Sequence, residues 1–150
     1  MGFRKATMGD ARLLYDWAME PEVRANSLNP GSFSFADHVK WMEKKISDEN
    51  CYLLIYTDEN KNIGTCRLDI DENGIATIAY SVDKLFRGQG FGKKMVIDLE
   101  KFAMGKKNLQ LKAVVKRENL ASRKIFDSLG YLEKFKDEVL IYIKNIRGGV

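Results

Sequence analysis

Apolar and polar positions change rhythm several times along the chain, and each change marks an element. The opening "FRKAT" alternates with a period of two, which reads as a strand. It leads into Thr7 and, three residues on, Asp10, the spacing of a capping box that opens a helix reaching about Glu20. Pro21 ends that helix, because its ring removes a donor and clashes with the preceding turn. "VRANSLNPGSFS" is polar and reads as a loop. Ser34 and Asp37 repeat the capping signal, and Val39, Met42 and Ile46 then recur at helical spacing. "CYLLIYT", "IGTCRLDID" and "GIATIAYSV" are strand-like runs divided by turn-forming residues, which predicts a three-stranded meander. Beyond a glycine-rich hexapeptide, Phe91, Met95, Leu99 and Phe102 predict a helix to about Met104. "LQLKAVV" is a strand, "NLASRKIFDSLG" a helix with Asn119 as N-cap and Gly130 at its end, and "VLIYIKNI" the last strand. The predicted order, β-α-α-β-β-β-α-β-α-β-β, describes a mixed α/β sheet with helices on its faces.

Composition changes this picture little. A chain of 150 residues that is 45% hydrophobic can bury one sizeable core, so residues 1–150 read as a single domain. A net charge of +4 suits an anionic partner without naming one, and no clustered basic and aromatic motif argues for nucleic acid. Cys51 and Cys66 lie far apart, with one histidine in the chain, so neither a disulfide framework nor a metal site is expected. No apolar run approaches the length of a membrane span or a secretion signal, and the expectation is a cytoplasmic protein without membrane attachment. A homodimer is left open.

The hexapeptide "RGQGFG", Arg87 to Gly92, sits between a strand and a helix, where loop amides and the helix N-terminus can converge on a phosphate. It is neither G-x-G-x-x-G nor a nucleotide-triphosphate loop, since Lys94 stands where the latter needs a hydroxyl. A tight turn that needs glycine for geometry alone is an equal reading of the loop by itself.

The same residues match the [Q/R]-x-x-G-x-[G/A] signature, and the chain resembles the GNAT superfamily of acetyl-CoA-dependent N-acetyltransferases. A second element, "VVKRENLASRKIFDSLGY", is similar to that family's strand, asparagine, helix and leucine-glycine-aromatic sequence. The resemblance covers essentially the whole chain and implies a mostly antiparallel mixed sheet with a splayed strand pair for acetyl-CoA. It implies that the amides of Arg87, Gly88, Gln89, Gly90, Phe91 and Gly92 cradle the coenzyme pyrophosphate. It further implies that Tyr80, Ser81 and Val82 face the pantetheine arm, that Asn119 bonds the same arm, and that Lys93, Ser122 and Arg123 support coenzyme phosphates. A plain helix cap is the other reading of Asn119, and solvated surface is the other reading of Lys93 and Arg123.

Acetyl transfer to an amine needs a neutral nucleophile, an oxyanion donor and a proton for the leaving thiolate. A backbone amide near Val82 would serve the oxyanion. Phe126 stands where many family members have a tyrosine, so either another group gives the proton, with Tyr80 and, ranked below it, Tyr131 as candidates, or water does, or the thiolate departs directly. Period-two geometry puts Thr65, Arg67 and Asp69 on one sheet face, which makes Asp69 a candidate base provided its pKa is raised, and an exposed ion pair otherwise. His38 has an intrinsic pKa suited to the same task.

For the acceptor, Trp17, Pro21, Arg24, Asn26, Ser27, His38 and Trp41 are spaced as in a GNAT subgroup acting on nucleotide-linked amino sugars, of the pseudaminic-acid-pathway type. That likeness implies a small-molecule amine, a sugar nucleotide, met by Arg24, Asn26, Ser27, His38, Trp41 and Arg67. A ribosomal-protein N-terminal acetyltransferase and a non-catalytic acyl-CoA-binding module are the alternatives. An acidic groove would favour a basic acceptor, and a positive groove a sugar nucleotide.

Overall fold

The structure is a computed structural model, and it describes residues 1–106 and 109–146. Seven strands form one sheet: β1 (Gly2–Lys5), β2 (Cys51–Asp58), β3 (Lys61–Ile70), β4 (Ile75–Val82), β5 (Leu109–Lys116), β6 (Leu132–Lys136) and β7 (Val139–Ile146). Among the described residues five α-helices accompany it: α1 (Ala11–Met19), α2 (Pro21–Asn26), α3 (Phe35–Ser47), α4 (Phe91–Met104) and α5 (Leu120–Ser128). The strand order is β1-β2-β3-β4-β5-β7-β6, and among the described residues only the β4–β5 neighbours run parallel. This is the mixed, mostly antiparallel α/β sheet that the sequence leads one to expect.

One core joins the sheet to α4 and α5 through Leu68, Met95, Val96, Leu99, Leu111, Phe126 and Tyr142. A second joins α1 and α3 to β2 through Leu14, Trp17, Met42, Leu53 and Ile55, so helices cover both faces. The alternation on β3 follows from this: Cys66 and Leu68 are fully buried, while Thr65, Arg67 and Asp69 face the other way. Cys51 and Cys66 are both free and buried, and burial pushes the Cys51 thiol up to about 12. No helix among the described residues is long and apolar enough to cross a membrane.

Local chemistry revises two expectations. The Thr7–Asp10 signal opens a 3-10 turn, Met8–Asp10, ahead of α1, and the Asp10 carboxylate accepts both the Thr7 N–H and the Arg4 guanidinium at 2.9 Å. Pro21 ends α1 as expected but also begins α2, which runs on to Asn26 into the stretch from Val23 predicted to be loop. Proline suits the first helical position, where an N–H has no acceptor, and the Glu20 carboxylate caps the turn by accepting the Val23 N–H at 3.2 Å.

The pairing that matters most is the one that stops early. β4 and β5 pair only through Ile75–Gln110, Ala76–Leu111 and Thr77–Lys112, although they run on to Val82 and Lys116. Beyond Thr77 the two strands part, leaving the facing backbone of the Ile78–Val82 stretch outside the ladder.

Candidate functional site

The hexapeptide lies at the wide end of this opening. Gly88 and Gly90 have φ of 77° and 82°, a region that L side chains rarely adopt, and Gly90 caps α4 in that conformation. Gly92 is needed for a different reason, because a Cβ there would lie 3.1 Å from Ile125 Cδ1 and 3.5 Å from Tyr80 Cε2. Among the described residues, no backbone N–H from Gly88 to Lys93 donates to a protein acceptor. A fourteen-residue helix thus begins at a loop of uncommitted donors, an arrangement suited to an anion. Lys93 is exposed beside them.

On the α5 side of the opening, Tyr80 Oη and Ser122 Oγ stand 2.7 Å apart. Burial raises the Tyr80 pKa, so the phenol keeps its proton at neutral pH. Asn119 caps α5, its side-chain oxygen accepting the Ser122 N–H at 3.3 Å, while its amide nitrogen makes no hydrogen bond among the described residues and so is left uncommitted by the cap. Arg123 donates to the Arg117 carbonyl at 2.9 Å, which ties down the turn between β5 and α5. Phe126 is buried between Tyr80, Tyr131 and Tyr142 at ring distances of 6.2, 4.9 and 5.5 Å. Tyr131 lies in this core as well, with its hydroxyl buried and without a partner among the described residues.

Val82 ends β4 across from Gly64, and the Asp83 N–H that follows is fixed to the Ile63 carbonyl at 2.8 Å. Beside it runs a cleft of about 520 Å³ between α1, α2 and the end of β4. Leu13, Trp17 and Val23 form apolar wall, Asp16, Glu20 and Asp83 bring carboxylates to it, and Lys84 and Arg87 bring cations. Trp17, although buried, turns its indole N–H to the Asp83 carboxylate at 2.8 Å. The Arg87 side chain donates to the Val82 carbonyl (3.1 Å), Glu20 (2.9 Å) and Glu22 (2.6 Å), and its hydrogen bond holds the Glu20 carboxyl below the usual carboxylate range.

Of the residues expected to meet the acceptor, Arg24, His38, Trp41 and Arg67 come together in one stack through Phe33, and Asn26 and Ser27 lie outside it. Arg24 lies over Phe33 at 5.0 Å, Phe33 stacks on His38, His38 on Trp41 at 5.6 Å, and Arg67 lies over Trp41 at 5.1 Å. Arg24, expected to grip a diphosphate, bonds the carbonyls of Ala18 (2.6 Å), Asn29 (3.1 Å) and Gly31 (3.0 Å). Ser27 closes a turn with Asn29, and Asn26 ends α2. His38 is 4% exposed and burial lowers its pKa, which makes it a neutral packing residue at the centre of the stack.

Asp69, the candidate base, is engaged by two cations. That role needs a raised pKa, whereas hydrogen bonds from Lys45 (2.9 Å) and Arg67 (2.7 Å) outweigh the upward pull of burial and leave it lowered. Its register opposes Thr77, five positions from Val82 and so roughly 17 Å along the strand.

Comparison with known proteins agrees with this geometry. The family described as "Acetyltransferase (GNAT) domain" matches residues 1–132. An N-acetyltransferase of Bacillus licheniformis, p20, is 29% identical over 137 residues, covering 85% of this chain and 76% of its own length. A ribosomal-protein alpha-N-acetyltransferase solved with coenzyme A superposes with a TM-score of 0.82 at 16% identity, covering 97% of this chain and 94% of its own. Spermidine N-acetyltransferase from Vibrio cholerae, solved with coenzyme A and spermine, gives the same TM-score, identity and coverage.

Proposed function

The chain belongs to the GNAT acetyltransferase family, and from that premise we propose that it transfers acetyl from acetyl-CoA to the primary amine of a small cationic acceptor within a ternary complex. The observation that carries the reading is the parting of β4 from β5 beside a loop of unpartnered amides. Gly88 to Gly92 would hold the coenzyme pyrophosphate, and the unpaired edge of Tyr80 to Val82 would hold the pantetheine arm as a missing strand would be held. The co-substrate supplies the activated thioester. The Val82 amide region is the donor nearest the end of that arm, and Tyr80, protonated and bonded to Ser122, is the proton source for the departing thiolate.

The acceptor reading rests on the cleft. Its lining carries Asp16, Glu20 and Asp83 against Lys84 and Arg87, and with Glu20 paired to Arg87 the excess is one carboxylate, which favours an ammonium group over a diphosphate. The base is then water or a second amine, since Asp69 is committed elsewhere. A nucleotide-linked amino sugar is the second reading, carried by the spacing from Trp17 to Trp41 and weakened by the engagement of Arg24 with backbone carbonyls.

Release of coenzyme A thiol from acetyl-CoA tests both, with spermidine, ribosomal-protein N-terminal peptides and UDP-linked 4-amino-6-deoxy sugars supplied at equal concentration. Turnover with the cationic amines alone supports the acidic-cleft reading, and turnover with the sugars alone supports the second. Coenzyme binding without thiol release from any amine would point to an acyl-CoA-binding module and overturn the enzymatic proposal for these acceptors.

A further inference from the structure

The short helix α2 is fastened at both ends to opposite sides of the β4–β5 opening. At its N-terminal end, Glu20 and Glu22 take the Arg87 guanidinium, which also holds the Val82 carbonyl at the end of β4. At its C-terminal end, the Ala25 carbonyl accepts from Lys116 Nζ at 3.0 Å, and Lys116 is the last residue of β5. Arg24, between these points, bonds the carbonyls of Ala18, Asn29 and Gly31, so α2, the end of α1 and the following loop form one piece. That piece bridges the two strand ends where no ladder hydrogen bond joins them.

From this geometry we infer that Arg87 and Lys116 are positioning residues for acetyl transfer, acting through α2 to set the width of the opening. The inference rests on the acetyltransferase reading only for the reaction it serves. It assigns the Arg87 side chain to α2 and leaves coenzyme phosphate to the loop amides. Misplacement of a reacting carbonyl by about 1 Å costs about a hundredfold in rate, so an untied opening should be read in kcat. Both ties cross the opening, and loss of either should have the same consequence.

The experiment compares wild type with Arg87→Gln, Lys116→Met and the double variant Glu20→Gln/Glu22→Gln. Hydrogen exchange at the amides of Arg24 to Ser27 and coenzyme A affinity by calorimetry need no acceptor, and kcat is taken with the amine selected by the thiol-release panel. The expectation is exchange at least about tenfold faster and kcat about tenfold to a hundredfold lower in all three, with coenzyme A affinity shifted in the same direction in all three, because the opening also takes the pantetheine arm. Unchanged exchange in Lys116→Met or in the glutamine pair overturns the strap. So does tenfold weaker coenzyme A binding in Arg87→Gln with tighter binding in the glutamine pair, which would make Arg87 a phosphate ligand competing with two carboxylates. If wild type binds no coenzyme A, the acetyltransferase reading fails, and hydrogen exchange alone still decides whether α2 is tied at both ends.

Discussion

Gly64→Ala should damage both stability and turnover, because β3 and β4 approach each other more closely there than a side chain permits. A Cβ built on Gly64 lies 2.4 Å from the Ser81 carbonyl oxygen, 3.0 Å from Met95 Cε and 3.1 Å from Val82 Cα. The methionine end can rotate away, but the other two atoms are backbone in the ladder where Thr65 pairs with Ser81 and Gly64 with Val82. Ordinary contact begins near 3.4 Å, so the end of β4 must retreat by about 1 Å. Overpacking of this kind costs about 1–3 kcal/mol, which for a domain of this length lowers Tm by roughly 2–12 °C. The displaced residues are those proposed to face the thioester, and a 1 Å error there costs about a hundredfold in turnover. Thermal melting and thiol-release kinetics read the two effects, with calorimetry against coenzyme A confirming that the remote loop still binds. Wild-type Tm together with wild-type turnover would refute the claimed proximity.

Gly90→Val places a β-branched residue at φ 82° in the loop and should abolish coenzyme A binding by calorimetry; wild-type affinity would remove the loop from the site. Tyr80→Phe should lower kcat by about a hundredfold while coenzyme A affinity stays near wild type, since only a proton donor is removed; unchanged kcat would assign the thiolate proton to water. His38 contributes pH dependence. Its folded pKa lies below the unfolded value of 6.5, so the stability of the neutral form is complete above pH 6.5 and is lost as pH falls through the lowered folded value. Wild-type Tm should therefore decline between pH 7 and 5, and His38→Gln should start lower but decline less; equal slopes would place the dependence elsewhere.

Elements with an uninterrupted period were legible from the chain alone. Phe91–Met104 and Cys51–Asp58 appear within a residue of their predicted limits, because one face of each is buried and period alone specifies that face. α2 was not legible, since a six-residue helix has no room to show a period and its stabilising contacts come from Arg87 and Lys116, more than sixty residues away. The glycine loop was visible because positive φ restricts composition. The acceptor side was legible only as a set of residue types: Arg24, His38, Trp41 and Arg67 have the side chains of a binding site, and only three-dimensional packing shows them stacked on one another with Phe33. Asp83 and Trp17 were missed as a pair because nothing in sequence links residues 66 positions apart; the N-cap position of Asp83 before Leu85 was its only local signal.

The early end of the β4–β5 ladder also divides the sheet mechanically. Strands β1 to β4 form one panel and β5, β7 and β6 another, joined in the sheet plane by three residue pairs. Such a seam separates cooperative units, so the amides of the two panels should open with different free energies in the free protein. A ligand bonded along both panels would act as a weld, coupling their opening and adding about 2.7 kcal/mol to the weaker one at a hundredfold excess over Kd. The gap in the hydrogen-bond ladder would then make the rigidity of the whole sheet depend on co-substrate concentration.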